Sequence, residues 1–172
     1  MGDSSGSALI IPLLGADEAV GGWRAALDPS AAAGVPAHVT IHFPWLPVSL
    51  VEESDLQSLQ DMVCAVPRFP VTFRSSRWFG REVLWLDPDP KEPFIALAAE
   101  SAARWPGHPQ YGGRFDAIVP HLTVGFGDPQ VLDHAEAAIE RLLPIQDLAC
   151  RVWWITRAGS QPWEVRRTLD LG

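Results

Sequence analysis

The stretch AHVTIHF, at positions 37–43, returns with the same residue types as PHLTVGF at positions 120–126. Each copy carries a histidine, a threonine two residues later and a phenylalanine three residues after that, with aliphatic residues around the threonine. The chain has five histidines, so two matched His-x-Thr pairs in the same apolar frame exceed what composition alone would produce. The repeat indicates two related halves, each contributing one motif.

Strand geometry determines what each motif presents. Residues two apart on a β-strand point to the same face, so His38 lies beside Thr40 and His121 lies beside Thr123, while the aliphatic neighbours face the core. If the two halves pack about a pseudo-twofold axis, the two pairs face each other across one cleft.

The rest of the chain predicts an α+β fold with antiparallel sheets. Two hairpins, one near the middle and one at the C-terminus, argue against a doubly wound parallel sheet. Pro12 indicates an edge strand or a bulge, and no linker divides residues 1–172, so we expect one domain. Hydrophobic patterning predicts strands over 8–14, 38–43, 69–78, 81–87, 118–126, 149–157 and 163–171, and helices over 16–27, 54–66, 93–105 and 129–143.

Composition limits the class of partner. The chain has 172 residues and a formal net charge of -8, and such a surface repels long DNA or RNA. A small phosphate ester in a locally polar cleft is compatible with this charge. The N-terminus lacks a basic region followed by a long apolar stretch, and no segment approaches membrane length. We therefore expect a cytoplasmic protein without membrane contact.

Paired histidines and threonines suit phosphoryl transfer. A neutral imidazole can take a proton from the attacking oxygen, while a protonated one gives a proton to the leaving oxygen. Because the ordinary pKa of histidine is near 6.5, both forms exist near neutral pH. Threonine hydroxyls can bind the non-bridging oxygens of the phosphate.

These motifs resemble those of the two-histidine (2H) phosphoesterase superfamily, which includes bacterial 2'-5' RNA ligases and cyclic nucleotide phosphodiesterases. Its signature is a pair of hydrophobic-flanked His-x-Thr/Ser tetrads, and here 83 positions separate His38 from His121. The stretches WRAALDPS, GVPAHVT, VLWL, PQYGG and VPHLTV are similar to an actinobacterial branch of this family. The resemblance implies that His38 and His121 are the acid-base pair and that Thr40 and Thr123 bind phosphate. It also implies a bilobal, metal-free fold of two intertwined lobes without a cofactor.

Three further residues are candidate substrate contacts, each with a simpler alternative. His42 replaces the usual apolar residue and would share a strand face with His38 and Thr40; it is a specificity contact, a metal ligand together with His38, or a plain strand-end residue. Trp45 lines the cleft as a platform for a base or belongs to the core. Tyr111 caps the cleft from a Gly-rich loop or packs in a connecting turn.

The sequence supports one main function and two alternatives. The main hypothesis is a metal-independent phosphoesterase that opens a 2',3'-cyclic phosphate or cleaves a small cyclic or 2'-5' linked nucleotide, with ligation as the reverse reaction. A non-catalytic module that binds a nucleotide or an RNA end is the first alternative, and a metal-dependent hydrolase using His38 and His42 is the second. A His-x-Thr pair can also be a satisfied polar pair beneath a loop. Four arginines either pair with the excess of acidic side chains at the surface, which is the simpler interpretation, or supply a guanidinium that reaches the phosphate: Arg151, Arg157, Arg166 and Arg167.

Overall fold

The computed structural model describes residues 6–115 and 117–172, and within them the chain forms eight strands and five helices. The strands are β1 (Gly6–Pro12), β2 (His38–His42), β3 (Phe69–Phe79), β4 (Val83–Asp89), β5 (Leu122–Phe126), β6 (Ile145–Ala149), β7 (Arg151–Arg157) and β8 (Glu164–Asp170). The helices are α1 (Leu14–Leu27), α2 (Pro29–Ala32), α3 (Glu53–Cys64), α4 (Glu92–Arg104) and α5 (Pro129–Glu140), and short 3₁₀ turns cover Val48–Leu50 and Gln110–Gly113.

The strands form two four-stranded sheets. Their orders are β2-β1-β7-β8 and β5-β4-β3-β6, and every strand pair described is antiparallel. The strand that carries each His-x-Thr motif, β2 or β5, is therefore an edge strand of its own sheet. The predicted α+β class with antiparallel sheets is confirmed.

Each motif strand is supported by a helix from the other half. Helix α1 follows β1 and precedes β2, yet it packs against β5 and β6 of the other sheet. Helix α4 lies between β4 and β5 in sequence, yet it packs against β2. This reciprocal arrangement links the two sheets and brings the two edge strands into contact.

One hydrophobic core is shared by both sheets. Leu9 and Ile11 of β1 and Val39 of β2 are fully buried in it, and so are Leu84 of β4 and Val124 of β5. Because strand side chains alternate, the residues between these positions face the other side, where the two edge strands meet. Burial of each such aliphatic side chain contributes about 1.5–3 kcal/mol to folding, which fixes the register of both motif strands.

Three sequence expectations about the strands were wrong. The predicted strand over 118–126 begins only at Leu122, because Pro120 has no N–H to donate to the sheet. Strand β6 was not predicted, and the predicted strand over 149–157 corresponds to β7. The apolar Leu148 of β6 faces solvent, which hides the alternation of apolar and polar residues typical of a strand. Of the two alternatives at Pro12, the edge strand is wrong, because β1 lies between β2 and β7 and Pro12 is its last residue. The pairing of β1 with β2 does contain a register shift, between Leu9 and Ile10.

Candidate active site

The two motifs lie on the wall of one pocket. A cavity of about 350 Å³ is lined by His38 and Thr40 from β2, by His121 just before β5, and by Thr123 near the start of β5. All four predicted residues are thus brought together, although 83 positions of sequence separate the two histidines. The placement follows from the topology, because both motif strands are edges that meet between the sheets.

Both histidine rings are held in the same way. Nδ1 of His38 lies 2.8 Å from the carbonyl oxygen of Pro36, and Nδ1 of His121 lies 2.8 Å from the carbonyl oxygen of Val119. A carbonyl oxygen only accepts hydrogen bonds, so Nδ1 carries the proton in each ring. In the neutral state Nε2 of each histidine is therefore left with a free lone pair.

The first histidine is held in its neutral form. Burial of the ring, helped by the nearby charge of Arg24, lowers the pKa of His38 to about 4, and the charge of His121 acts in the same direction. The hydrogen bond to Pro36 and the carboxylate of Asp28 oppose this shift. His38 is consequently a proton acceptor at neutral pH.

The second histidine lies in an aromatic setting. The His121 ring packs edge-on against Phe79 and Trp85, with ring centroids 5.0 Å and 5.9 Å away. Burial lowers the pKa of His121, while the hydrogen bond to Val119 raises it. Both pKa values therefore lie below the ordinary value of histidine.

Tyr111 reaches the pocket from a tight loop. Its backbone has φ of 51°, a left-handed conformation, and its N–H donates a 2.6 Å hydrogen bond to the carbonyl of Phe43 just after β2. Its side chain lines the pocket, where burial raises the pKa of the Tyr111 hydroxyl and the neighbouring Thr40 side chain lowers it. The structure thus places Tyr111 beside the first motif, as the sequence suggested.

The remaining pocket wall is largely apolar and aromatic. It is lined by Phe43, Phe126, Ile155 and Trp163, and the rings of Phe43 and Trp163 meet edge-on at 6.4 Å. Among the described residues that line this pocket, none is a lysine or an arginine. The wall can accept a flat apolar group next to a phosphate of low charge.

His42 does not share a face with His38 and Thr40. In the pairing of β1 with β2, Ile10 lies opposite Thr40 but Leu9 lies opposite His42, so the register shifts by one residue at Ile41. This bulge reverses the alternation, and the His42 side chain points into the interior. The prediction that His42 shares a strand face with His38 and Thr40 is therefore wrong, and His42 is not among the described residues that line the pocket.

His42 cannot form a metal pair with His38 either. Its Nδ1 accepts a 2.7 Å hydrogen bond from the Ser101 hydroxyl, and its Nε2 donates a 2.7 Å hydrogen bond to the carbonyl of His108. Both nitrogens are thereby used inside the fold, and burial lowers the pKa of His42. Over residues 6–115 and 117–172 no group of three or more His, Cys, Asp or Glu side chains is arranged to hold a metal ion.

Trp45 is a core residue and not a platform for a base. Its side chain is 1% exposed and packs edge-on between Trp105, at 5.1 Å, and Trp154, at 5.4 Å.

The four candidate arginines near the C-terminus lie outside the pocket lining. Three of them have other partners: Arg151 pairs with Asp170, Arg157 donates to the carbonyl of Gln161, and Arg166 donates to the Thr156 hydroxyl. Sequence reasoning missed a cation whose charge acts on His38, Arg24 of α1. The sequence contained some evidence that Arg24 is buried and paired, because it follows Val20 by four residues on the apolar stripe of α1 and precedes Asp28 by four.

The fold resembles solved phosphoesterases of low sequence identity. E. coli LigT complexed with 3'-AMP is 19% identical with a TM-score of 0.58, over 97% of this chain and 98% of that chain. LigT complexed with phosphate is 17% identical with a TM-score of 0.57, over 99% of each chain. A further crystal structure, of a phosphoesterase, is 19% identical with a TM-score of 0.55, over 96% of this chain and 97% of that chain.

No curated protein is significantly similar to this chain in sequence. In the structure, no described helix has the length and apolar character needed to cross a bilayer. A family model for the 2'-5' RNA ligase superfamily does match, over residues 12–161, which contain both His-x-Thr motifs and most of the pocket between them. The chain therefore belongs to the 2'-5' RNA ligase superfamily, as the resemblance of its two histidine motifs implied.

Proposed function

We propose that this protein is a metal-independent phosphoesterase that opens a nucleoside 2',3'-cyclic phosphate or cleaves a small cyclic or 2'-5' linked nucleotide. The observation that carries the proposal is the common pocket of His38 and His121, each with Nδ1 bound to a carbonyl and a threonine beside it. Two matched acid-base groups are needed for turnover but not for mere binding, which favours an enzyme over a non-catalytic module of the same fold.

We assign the base role in hydrolysis to His38, because its pKa is lowered to about 4, and the acid role to His121. Neutral His38 accepts a proton through Nε2 from a water molecule as the water oxygen bonds to phosphorus. Protonated His121 donates its Nε2 proton to the ribose oxygen as the bond from that oxygen to phosphorus breaks. In ligation a ribose hydroxyl of a second RNA end replaces water: His38 accepts its proton as its oxygen bonds to the phosphorus of the cyclic phosphate, and His121 protonates the ribose oxygen whose bond to phosphorus breaks. Cleavage of the resulting 2'-5' link back to the cyclic phosphate is the reverse of this step, with the proton roles exchanged.

The two threonines hold the phosphate between these groups. Thr40 and Thr123 lie on the pocket side of opposite edge strands, so their hydroxyls can donate to the non-bridging oxygens from two directions. Such hydrogen bonds strengthen as negative charge grows on these oxygens in the transition state.

The pocket wall favours a small substrate with one phosphodiester charge. No lysine or arginine is among the described residues that line the pocket, whereas Phe43, Tyr111 and Trp163 offer aromatic surface for a nucleobase. The net charge of -8 acts against a long polyanion. The binding of 3'-AMP and of phosphate by E. coli LigT, a protein of the same fold, supports a nucleotide or an RNA end as the ligand. We further propose that residues 1–172 act as one cytoplasmic domain.

A screen with matched variants tests this function. Purified protein is incubated, in the presence of a chelator, with nucleoside 2',3'-cyclic phosphates and with 2'-5' and 3'-5' linked dinucleotides, and the products are separated by chromatography. We expect turnover of at least one compound, and a fall in kcat of about 10²- to 10⁴-fold in His38→Ala and in His121→Ala. His134→Ala, on the exposed face of α5, is the control and should keep full activity. Binding without turnover would instead support the non-catalytic module.

A further inference from the structure

Arg24 is a buried cation in the middle of the molecule. Its side chain is 1% exposed, and Asp28, whose side chain is 3% exposed, lies 2.7 Å away. A charge in such a place is costly unless it is paired and hydrogen-bonded. The sequence could have placed an aliphatic residue here, as it does at Val20 one turn earlier.

The guanidinium joins several separate segments. Nε donates to the carbonyl of Thr123 in β5 at 3.0 Å, and Nη1 donates to the carbonyl of Val35 at 3.2 Å and toward Asp17 at 3.4 Å. Nη2 donates to Asp28 and to the hydroxyl of Ser30. The five N–H groups of the side chain thus have five acceptors.

We propose that Arg24 is a positioning residue of the phosphate site, which ties the segment before the first His-x-Thr motif to the backbone of the second. This inference rests on the proposed function, since it assigns a role within that reaction. Arg24 does not line the pocket, and it acts through the residues that do.

The contacts of Arg24 reach both motifs. On one side, the carbonyl that it binds belongs to Thr123, whose hydroxyl faces the phosphate site. On the other, the Asp17 carboxylate that it approaches also accepts a 2.7 Å hydrogen bond from the N–H of Ala37, the residue before His38. A shift of about 1 Å between catalytic groups can cost 10²-fold in rate. The contacts of Arg24 therefore bear on the distance between the first and the second His-x-Thr motif.

Charge supports the same role. The charged groups that act on His38 are Arg24 and Asp28, from α1 and its C-terminus, and His121, from the segment before β5; the carbonyl of Pro36 binds its ring directly. Arg24 lowers the pKa of His38 and Asp28 raises it. Removing Arg24 alone should therefore raise the pKa of His38, and removing both charges should raise it less.

Three variants separate position from charge. Arg24→Lys keeps the positive charge but loses the planar set of donors, Arg24→Met removes the charge, and Arg24→Met with Asp28→Asn removes both charges. Arg104→Lys, at an exposed ion pair with Glu100, is the matched control. Folding is checked by circular dichroism and thermal melting, and the titration of His38 is followed by NMR of the ring protons, assigned with His38→Gln.

In Arg24→Lys we expect kcat to fall about 10- to 100-fold, with KM changed less than about threefold and the His38 titration nearly unchanged. In Arg24→Met we expect the His38 titration to move to higher pH, and in the double variant to move less. Kinetics and titrations equal to those of Arg104→Lys would overturn the proposal. So would loss of cooperative unfolding in all three variants, which would assign Arg24 to stability alone.

The NMR titration needs no substrate, so it also separates this inference from the proposed function. If wild-type protein turns over nothing in the screen, the proposed function fails. A His38 titration in Arg24→Met that is unchanged from wild type contradicts the role of Arg24 instead. For variants without turnover, inorganic phosphate is the probe. Weaker phosphate binding in Arg24→Lys than in Arg104→Lys supports the positioning role, and equal binding contradicts it.

Discussion

His38 and His121 are held by the same device, a hydrogen bond from Nδ1 to the carbonyl oxygen two residues earlier in the chain. Each motif therefore carries its own orienting acceptor within the backbone, and no separate carboxylate is needed to fix the tautomer. The two rings differ in their surroundings, since Arg24 acts on the first and aromatic rings surround the second. That difference leads to a prediction about pH.

The pH profile of kcat/KM should be a bell with its maximum below pH 6.5. The active free enzyme needs neutral His38 and protonated His121; the pKa of His38 is about 4, and burial lowers the pKa of His121 from its ordinary 6.5. Activity is thus lost below about pH 4 as His38 gains a proton, and lost again above the pKa of His121 as that proton leaves. The limbs report the coupled pair. Because a bound phosphodiester anion raises both pKa values, the maximum of kcat should lie at higher pH than that of kcat/KM. A maximum of kcat/KM above pH 8 would contradict these roles.

The two threonines should contribute mainly to the transition state. Thr40→Val and Thr123→Val each remove one hydroxyl donor at nearly constant volume, and we expect kcat to fall roughly 10- to 1000-fold with a smaller change in KM. Steady-state kinetics on the substrate found in the screen measure this. Thr168→Val, in the exposed part of β8, is a control that should change neither constant. An unchanged kcat in both pocket variants would show that these hydroxyls do not bind the reacting phosphate.

Tyr111 should act through its ring more than through its hydroxyl. Tyr111→Phe keeps the aromatic surface in the pocket and should change kcat/KM by only a few-fold, whereas Tyr111→Ala removes the surface available to a base and should raise KM about tenfold, as for a lost stacking contact. Comparison of KM for substrates with and without a base separates stacking from a general effect on the loop. An equal loss for both kinds of substrate would contradict stacking.

His42 should matter for stability and little for the reaction. His42→Leu leaves the Ser101 hydroxyl and the His108 carbonyl without their buried partner, which we expect to lower the free energy of unfolding by about 2–4 kcal/mol. Urea denaturation measures this, with exposed His134→Leu as a control expected within about 0.5 kcal/mol of wild type. The kcat/KM of the folded variant should change less than about threefold. A large loss of kcat/KM at unchanged stability would restore His42 as a substrate contact.

Dialysis against a chelator should leave kcat unchanged, since both nitrogens of His42 are already used and, over residues 6–115 and 117–172, no group of three or more His, Cys, Asp or Glu side chains is arranged to hold a metal ion. The check is activity before and after dialysis, with metal content measured on the same samples. Stoichiometric zinc whose removal abolishes turnover, and whose return restores it, would overturn the metal-independent mechanism.

The positions of His38, Thr40, His121 and Thr123 could be predicted from the sequence because strand alternation is a local rule and the motif occurs twice. His42 could not be placed by the same rule, since the bulge at Ile41 depends on how β1 pairs with β2, and nothing in the β2 sequence reveals it.

Arg24 and Trp45 show a second limit of sequence reasoning. An arginine in an amphipathic helix is ordinarily a surface residue, so the position of Arg24 on the apolar stripe of α1 was weak evidence by itself, and the tertiary contacts with Thr123 and Val35 show that this arginine is internal. The position of Trp45 was equally non-local, because its neighbours Trp105 and Trp154 come from distant parts of the chain. The α+β class depended only on local patterns and hairpins, and was predictable.

The order of the strands determines when each half of the site can be completed during translation. The sheet β5-β4-β3-β6 is encoded without interruption between Phe69 and Ala149, so all its strands leave the ribosome before β7 does. The other sheet cannot be completed until β7 has left the ribosome, because β1 pairs with both β2 and β7. Well over a hundred residues separate β1 from β7 in the sequence. The first histidine motif to be translated is therefore the last to be built into a finished sheet, and the pocket forms only when the end of the chain has arrived.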